Sequence, residues 1–542
     1  MLPAALIVIA IPLAGALLAY LGRRWQTLEV LIALLALGAG IVLLAQPITG
    51  AIALPGLTID IDAPLNLLGR VLRIREPERV PLLLIFISTA IIFALSWRSP
   101  QGWTFIPIGL AVLSAMTAAL LIRPFVYAAL ALEAAAALAV LMIQGERQGE
   151  RSTIGAMRYL VCTTLALPLF LLAGWSIDRA GTVNLADLDA VAATFGASII
   201  FLLTGFALLL GAVPLYSWIH PVAKDAPPLV TAFLGTVGIS VVTFLLLSFW
   251  QAFEWLRNSP TLLNAFTAGS MAMLLFGGGL AWAQRSFSRV LACALFVELG
   301  CVLLMFISST PLAIESLAFS VIARAIGLGV FGIGIWRLRA MRGSDDFDDI
   351  HSMNDLWTML ALLAGGMSMA GLPGTVGFVA RWTSARAYSN ADAEGLVLLL
   401  VACGSVAIGV LRGVTAMVRQ PVEAEIVEEE AALPPDAGEQ LPLFELPEIE
   451  PQPELAGALQ PSTEDAPFAF GMDPDVKMAA GEDEDAFVEG EAKPAFTARG
   501  IHAMSARFVI GAGIALTIIL GLWPGVIAPI AQAVAAGYAF YR

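Results

Sequence analysis

"VPLYSWIHPVAKDAPPLV" (213–230) separates two of the most apolar runs in a chain of 542 residues. Before it stands "ASIIFLLTGFALLLGA" (197–212); after it the chain runs from Leu229 to Trp250 without an ionisable group. Runs of that kind are what a bilayer core about 30 Å thick demands, roughly 20 residues at the helical rise. The prolines, the histidine and the Lys-Asp pair between them therefore read either as an ordinary loop at the membrane boundary or as the hinge of a transport path.

The rest of the chain has the same character. It is 59% hydrophobic and 13% charged, with a mean hydropathy of +0.85, which excludes a water-soluble globule. About fourteen spans are expected, starting roughly at residues 2, 27, 81, 104, 124, 157, 196, 227, 266, 288, 313, 355, 395 and 504. The fold class is an all-α polytopic membrane protein with broken seventh and twelfth helices. The breaks fall at Gly211 and Pro214, and at Gly371, Pro373 and Gly374 within "MLALLAGGMSMAGLPGTVGFVARWTSARA" (359–387). As one straight helix, Asp355 to Ala387 would measure about 50 Å, too long for the hydrocarbon unless steeply tilted, so the region reads as either tilted or broken near Pro373. "ALPGLTIDIDAPLNLL" (53–68) alternates like a short exposed strand or hairpin.

The net charge of −14 is unevenly placed. Residues 421–500 hold 21 acidic residues against Lys477, Lys493 and Arg499, a net −18; the remainder has 26 basic and 22 acidic residues, a net +4. That composition reads as three parts: a membrane domain over 1–420, an acidic Pro/Glu-rich disordered insert over 421–500, and a final span over 501–542. The insert is either a solvated tether or a docking tail for a basic partner. No nucleic-acid footprint is visible.

Arg23-Arg24 follow the first span with no basic residue ahead of it, the reverse of a cleaved signal peptide. Arg98, Arg147, Arg151, Arg158, Lys224, Arg285, Arg289, Arg337, Arg339 and Arg342 fall on the same side. The positive-inside rule makes that side cytoplasmic, with the insert there and both termini outside. Arg70, Arg73, Arg75 and Arg79 dissent. Cys162, Cys293, Cys301 and Cys403 lie in apolar runs without CxxC spacing, and no Rossmann or Walker fingerprint is present, so no cofactor is expected on this chain.

Ionisable residues inside spans are costly and mark function or a buried pair. Glu133, Glu298, Arg324 and Arg381 qualify; Arg412 lies near a span end, where it can snorkel. The glycines of "GLGVFGIG" (327–334) read as close helix packing.

The opening stretch resembles the signature of the antiporter-like membrane subunits of respiratory complex I, a family with relatives in membrane-bound hydrogenases and multi-subunit cation/proton antiporters. Pro214, Trp218, Ala226 and Pro227 hold signature places, and Tyr216 stands where a histidine is usual. "LALEAAAAL" places Glu133 at the family's fifth-helix glutamate, "SRVLACALFVELG" places Glu298 at a histidine position, and "AGLPGTVGFVARW" resembles the broken twelfth helix, with Arg381 where relatives carry Lys or Glu. "AMRYLVCTTLALPLFLLAG" and "FDDIHSMNDL" extend the resemblance to nearly the whole chain outside 421–500. The departures are the family's lysines: the seventh-helix position is Leu209, the eighth-helix position Ser240, and the eleventh-helix histidine falls at Ala323, beside Arg324.

The resemblance implies a membrane-arm subunit of a complex I-like NADH (or other donor):quinone oxidoreductase in a prokaryotic plasma membrane. Its partners would be other membrane subunits and the lipid bilayer, with quinone and redox centres in those partners. Glu133 and Glu298 would carry protons, with Arg324 and Arg381 as fixed cations beside them. His220, Lys224 and Asp225 are either loop residues or contributors to that path. The alternatives are a non-pumping structural subunit of the same complex and a subunit of a cation/proton antiporter.

Overall fold

The computed structural model describes residues 2–538 apart from 55–56, 68, 146–152, 181–187, 258, 309, 354, 389–392 and 420–500. The acidic segment, and with it the expectation of disorder, lies outside the described residues, as do Arg147 and Arg151.

Hydrocarbon offers the backbone no hydrogen-bond partner, so apolar runs close their N–H and C=O groups within helices. In chain order these are α1 (Ala4–Gly22), α2 (Gln26–Ala45), α3 (Glu76–Leu95), α4 (Phe105–Leu121), α5 (Ala128–Gln144), α6 (Ile154–Ala180), α7 (Leu188–Leu210) and the short α8 (Ile219–Asp225). Then come α9 (Pro228–Ala252), α10 (Pro260–Ala281), α11 (Phe287–Met305) and α12 (Pro311–Arg342). The last are α13 (Leu356–Ala370), α14 (Val376–Tyr388), α15 (Ala393–Val418), α16 (Ile501–Leu522) and α17 (Ala528–Gly537). Among the described residues, eleven helices are long and apolar enough to cross a membrane. Of the other expected spans, the fourth has 17 residues and the twelfth is cut to 15 by its break, while the seventh, α7, runs 23 residues up to its own break.

The stretch expected as a hairpin is one. β2 (Ala51–Leu54) pairs antiparallel with β3 (Leu57–Asp60), which also pairs with β1 (Leu2–Pro3). β4 (Leu65–Leu67), β5 (Arg70–Leu72) and β6 (Ile122–Arg123) form a second small sheet. At this end two of the dissenting arginines are paired, Arg73 with Asp62 and Arg79 with Glu76, and Arg70 lies over the Tyr127 ring. Their charges are largely spent locally.

Burial orders the helices. The apolar window of α12 is wholly buried, and α12 packs against α3, α9, α11, α13, α14, α16 and α17. α9 and α11 are nearly as buried, whereas α1, α2, α6, α10, α15 and α16 keep much of their apolar surface outside, with Leu21 70% and Phe508 69% exposed. So much exposed apolar surface suits lipid and not water. The glycines of 327–334 do serve close packing: a Cβ on Gly329 or Gly334 would meet Leu95 or Leu362 within 3 Å.

Both expected breaks are present, and their chemistry is visible. α13 ends on Gly371 at φ +74°, with Gly371 N and Leu372 N donating to Ser368 O and Met367 O. Pro373 then prevents continuation. α14 starts so close to that end that a Cβ on Gly377 would sit 1.6 Å from Ser368 O. α7 ends on Gly211 at φ +64°, and the buried Trp218 indole donates to the freed Leu208 O at 3.1 Å.

Candidate functional site

Three of the four intramembrane charges meet in the core. Glu298 projects from α11, Arg324 from α12 and Arg381 from α14; they are 2%, 0% and 7% exposed. Arg381 Nη2 lies 2.9 Å from Glu298 Oε1. Its other bonds run to Met369 O (3.1 Å) and Cys301 Sγ (3.3 Å). Met369 O is one of the carbonyls left over at the end of α13, the negative end of the helix dipole, so the break supplies a second partner for the cation. The break also makes room: a Cβ on Gly371 would meet Arg381 Cγ at 2.4 Å. The second carboxylate oxygen of Glu298 accepts from Ser320 Oγ at 2.7 Å.

Arg324 is held from the opposite side by α9. That helix widens into a π-turn over Leu234–Gly238. Arg324 Nη1 donates to Gly235 O (3.4 Å) and Nη2 to Ser240 Oγ (3.0 Å). Among the described residues Arg324 has no carboxylate within ion-pair distance. The cluster of one carboxylate and two guanidiniums thus carries a net +1 in the membrane core. Nε of both arginines is buried without a protein partner, which marks places for bound water.

Glu133 stands apart. It is half-buried on α5, accepts from Thr164 Oγ1 at 2.6 Å, and its other oxygen is buried without a partner. Between α5 and the π-turn lies an internal cavity of about 30 Å³, lined by Leu132, Tyr159, Thr163, Leu209, Trp218 and Ile239 among others. That volume suffices for a water or two, since one needs about 10–15 Å³. Leu209, where the resemblance puts a lysine, is part of its wall.

His220, Lys224 and Asp225 sit on α8, away from this cluster, around an open cavity. Asp225 Oδ2 accepts from Gly155 N at 2.8 Å, and His220 Nε2 is 3.8 Å from Cys293 Sγ. Arg412 is exposed and donates to Trp282 O. Sequence reasoning missed Ser320, Ser240 and the π-turn. It also missed a second buried pair, Glu78 with Arg123, whose guanidinium covers the Phe125 ring at 3.5 Å and bonds Leu120 O and Ile122 O. The one signal for it was a lone arginine before a proline between two apolar runs.

Residues 125–408, just over half of the chain, match the family described as NADH:quinone oxidoreductase/Mrp antiporter, transmembrane. The chain belongs to that family. It is similar to subunit N of the NADH-quinone oxidoreductase of Methylovorus glucosotrophus, 29% identical over 279 residues, or 49% of this chain and 57% of the relative. The chain thus spans a little over half the length of the curated relatives it matches. In fold the likeness is wider. A chain of the Mrp complex from Dietzia sp. superposes with a TM-score of 0.69 at 16% identity, covering 98% of this chain and 97% of that one. A chain of respiratory complex I from Thermus thermophilus with bound NADH gives 0.65 at 15% identity, covering 99% and 100%. This member of the family is an integral membrane protein with an antiporter-like fold.

Proposed function

We propose that this chain is a proton-translocating membrane-arm subunit of a complex I-type oxidoreductase, with electron transfer from NADH or another donor to quinone taking place in partner subunits. The reading rests on Glu298, a carboxylate held in the core by Arg381 and Ser320 beside a broken helix. Ionised, it accepts from both. Protonated, it loses its hold on Arg381, which keeps Met369 O and Cys301 Sγ as partners. Arginine stays charged at any working pH, so Arg324 and Arg381 bias the carboxylate and do not carry the proton. Glu133, which accepts from Thr164 on α6, is the second carrier in this reading. Orientation follows the charge: Arg158, Lys224, Arg289 and Arg339 gather at one end, which supports a cytoplasmic face there.

A second reading has an observation of its own. Leu209 lines the cavity and Ser240 only receives Arg324, so the route lacks the family's lysines and the subunit could be purely structural. Proton uptake per electron separates the two, measured in vesicles carrying the purified complex with wild-type chain or Glu298→Gln. A lower ratio with normal electron transfer supports the carrier role. An unchanged ratio refutes it and leaves Glu298 as a structural ion-pair partner.

A further inference from the structure

A second polar feature takes no part in that cluster. Where α6, α8 and the turn from α10 to α11 meet, an open cavity of about 570 Å³ is lined by Arg158, Lys224 and Arg289, all exposed, with His220 and Gln284. None of the three cations has an ion-pair partner among the described residues. The carboxylate in the lining, Asp225, is engaged by the backbone of Gly155. Burial, and after it Arg289, hold His220 below the usual histidine range. With His220 neutral, three cations face one carboxylate among the described residues.

The surroundings say what kind of anion belongs there. On the membrane side the flanking helices turn apolar residues outward: Val161 and Leu165 on α6, Phe276 and Leu280 on α10. A guanidinium pair reads phosphate oxygens in a planar, two-pronged geometry, and basic pockets at helix ends are where anionic lipids lodge. We propose that this cavity seats the phosphate-bearing headgroup of an anionic phospholipid, its acyl chains lying along α6 and α10. Exposed apolar residues on α6, which also carries Arg158, and on α10, which leads into Gln284, favour a lipid phosphate over a free one.

The test uses the purified full chain in nonionic detergent, stripped of lipid, and titrated with fluorescent phosphatidylglycerol, with phosphatidylcholine and inorganic phosphate as the other arms. At about 1 kcal/mol per basic residue near an anionic surface, each removed cation weakens binding about fivefold, and Arg158→Gln with Arg289→Gln about thirtyfold. Lys224→Gln, whose side chain is exposed, keeps the test independent of any folding defect in the double variant. Saturable phosphatidylglycerol binding that phosphatidylcholine does not share, weakened in both variants, supports the site. Equal binding in wild type and Lys224→Gln overturns it. Displacement of the lipid by millimolar inorganic phosphate overturns the lipid source and leaves a free-anion site.

Discussion

The net +1 of the core cluster makes the three charges unequal, and stability measurements can read the inequality. Glu298→Gln preserves shape but removes the carboxylate, leaving the Arg381 and Arg324 guanidiniums facing each other's field without a counter-charge. Removing one partner of a buried pair costs about 3–5 kcal/mol. Arg324→Met should be far milder. It forfeits bonds to Ser240 Oγ and Gly235 O. Ser240 can turn its hydroxyl to a helix carbonyl, so the lasting loss is one orphaned acceptor, about 1–3 kcal/mol. Against that stands the removal of a fully buried cation with no carboxylate of its own, whose desolvation is itself worth several kcal/mol. The two nearly cancel, leaving Arg324→Met within about 1 kcal/mol of wild type and at least about 2 kcal/mol more stable than Glu298→Gln. SDS-titrated unfolding of the purified chain in bicelles, followed by tryptophan fluorescence, measures both. Were Arg324→Met to lose as much as Glu298→Gln, Arg324 would be compensated within the cluster and the charge count would be wrong.

Other outcomes follow from single contacts. Gly377→Ala should abolish folding or cost more than about 4 kcal/mol, because its Cβ would overlap Ser368 O, while Gly374→Ala, with open space around it but φ +85°, should cost about 1–2 kcal/mol in the same titration. Asp345, between α12 and α13, is pushed up by burial but pulled further down by Arg339 and by Ser288, for a net depression below the ordinary carboxyl range. Its stabilising share is therefore complete above about pH 4 and is lost as pH falls toward its folded pKa; Asp345→Asn should be about 3 kcal/mol less stable at neutral pH and converge on wild type in acid, as melting curves across pH would show. Glu133→Gln should lower protons moved per electron while complex assembly, judged by native gel, stays intact; unchanged translocation removes Glu133 from the path.

The spans were legible because the solvent leaves the backbone few choices: every expected start lies within a few residues of a helix. The breaks were legible because Gly and Pro punctuate an apolar run in only a few ways, and Gly371 and Gly211 do adopt positive φ. The intramembrane charges could be named, but their pairing could not. Whether Glu298 meets Arg381 or Arg324 depends on the rotation of α11 against α12 and α14, which no local pattern encodes. The π-turn is harder still: "LGTVG" (234–238) has no signature that separates it from ordinary helix. Glu78 and Arg123 escaped notice because they lie at helix ends, where charge is normally solvated, and only the fold closes Phe125 and the chain around them.

The π-turn gives the missing lysines a physical context. One extra residue in that turn frees Gly235 O toward the core and sets Ser240 to receive the Arg324 side chain. A cation thus stands against the position where the resemblance expects an eighth-helix lysine, but it comes from α12 and is of a kind that does not release a proton. A fixed charge there can no longer pass a proton along, so on the proposed reading the cycle must close on the carboxylate. Proton arrival at Glu298 would leave two cations uncompensated, and the step is feasible only if one of them has another partner waiting. Met369 O, exposed by the break after Ala370, is already within 3.1 Å of Arg381. On that view the broken helix is the counterweight of the site: the interruption that ends α13 at Gly371 supplies the carbonyl on which Arg381 rests whenever Glu298 is neutral.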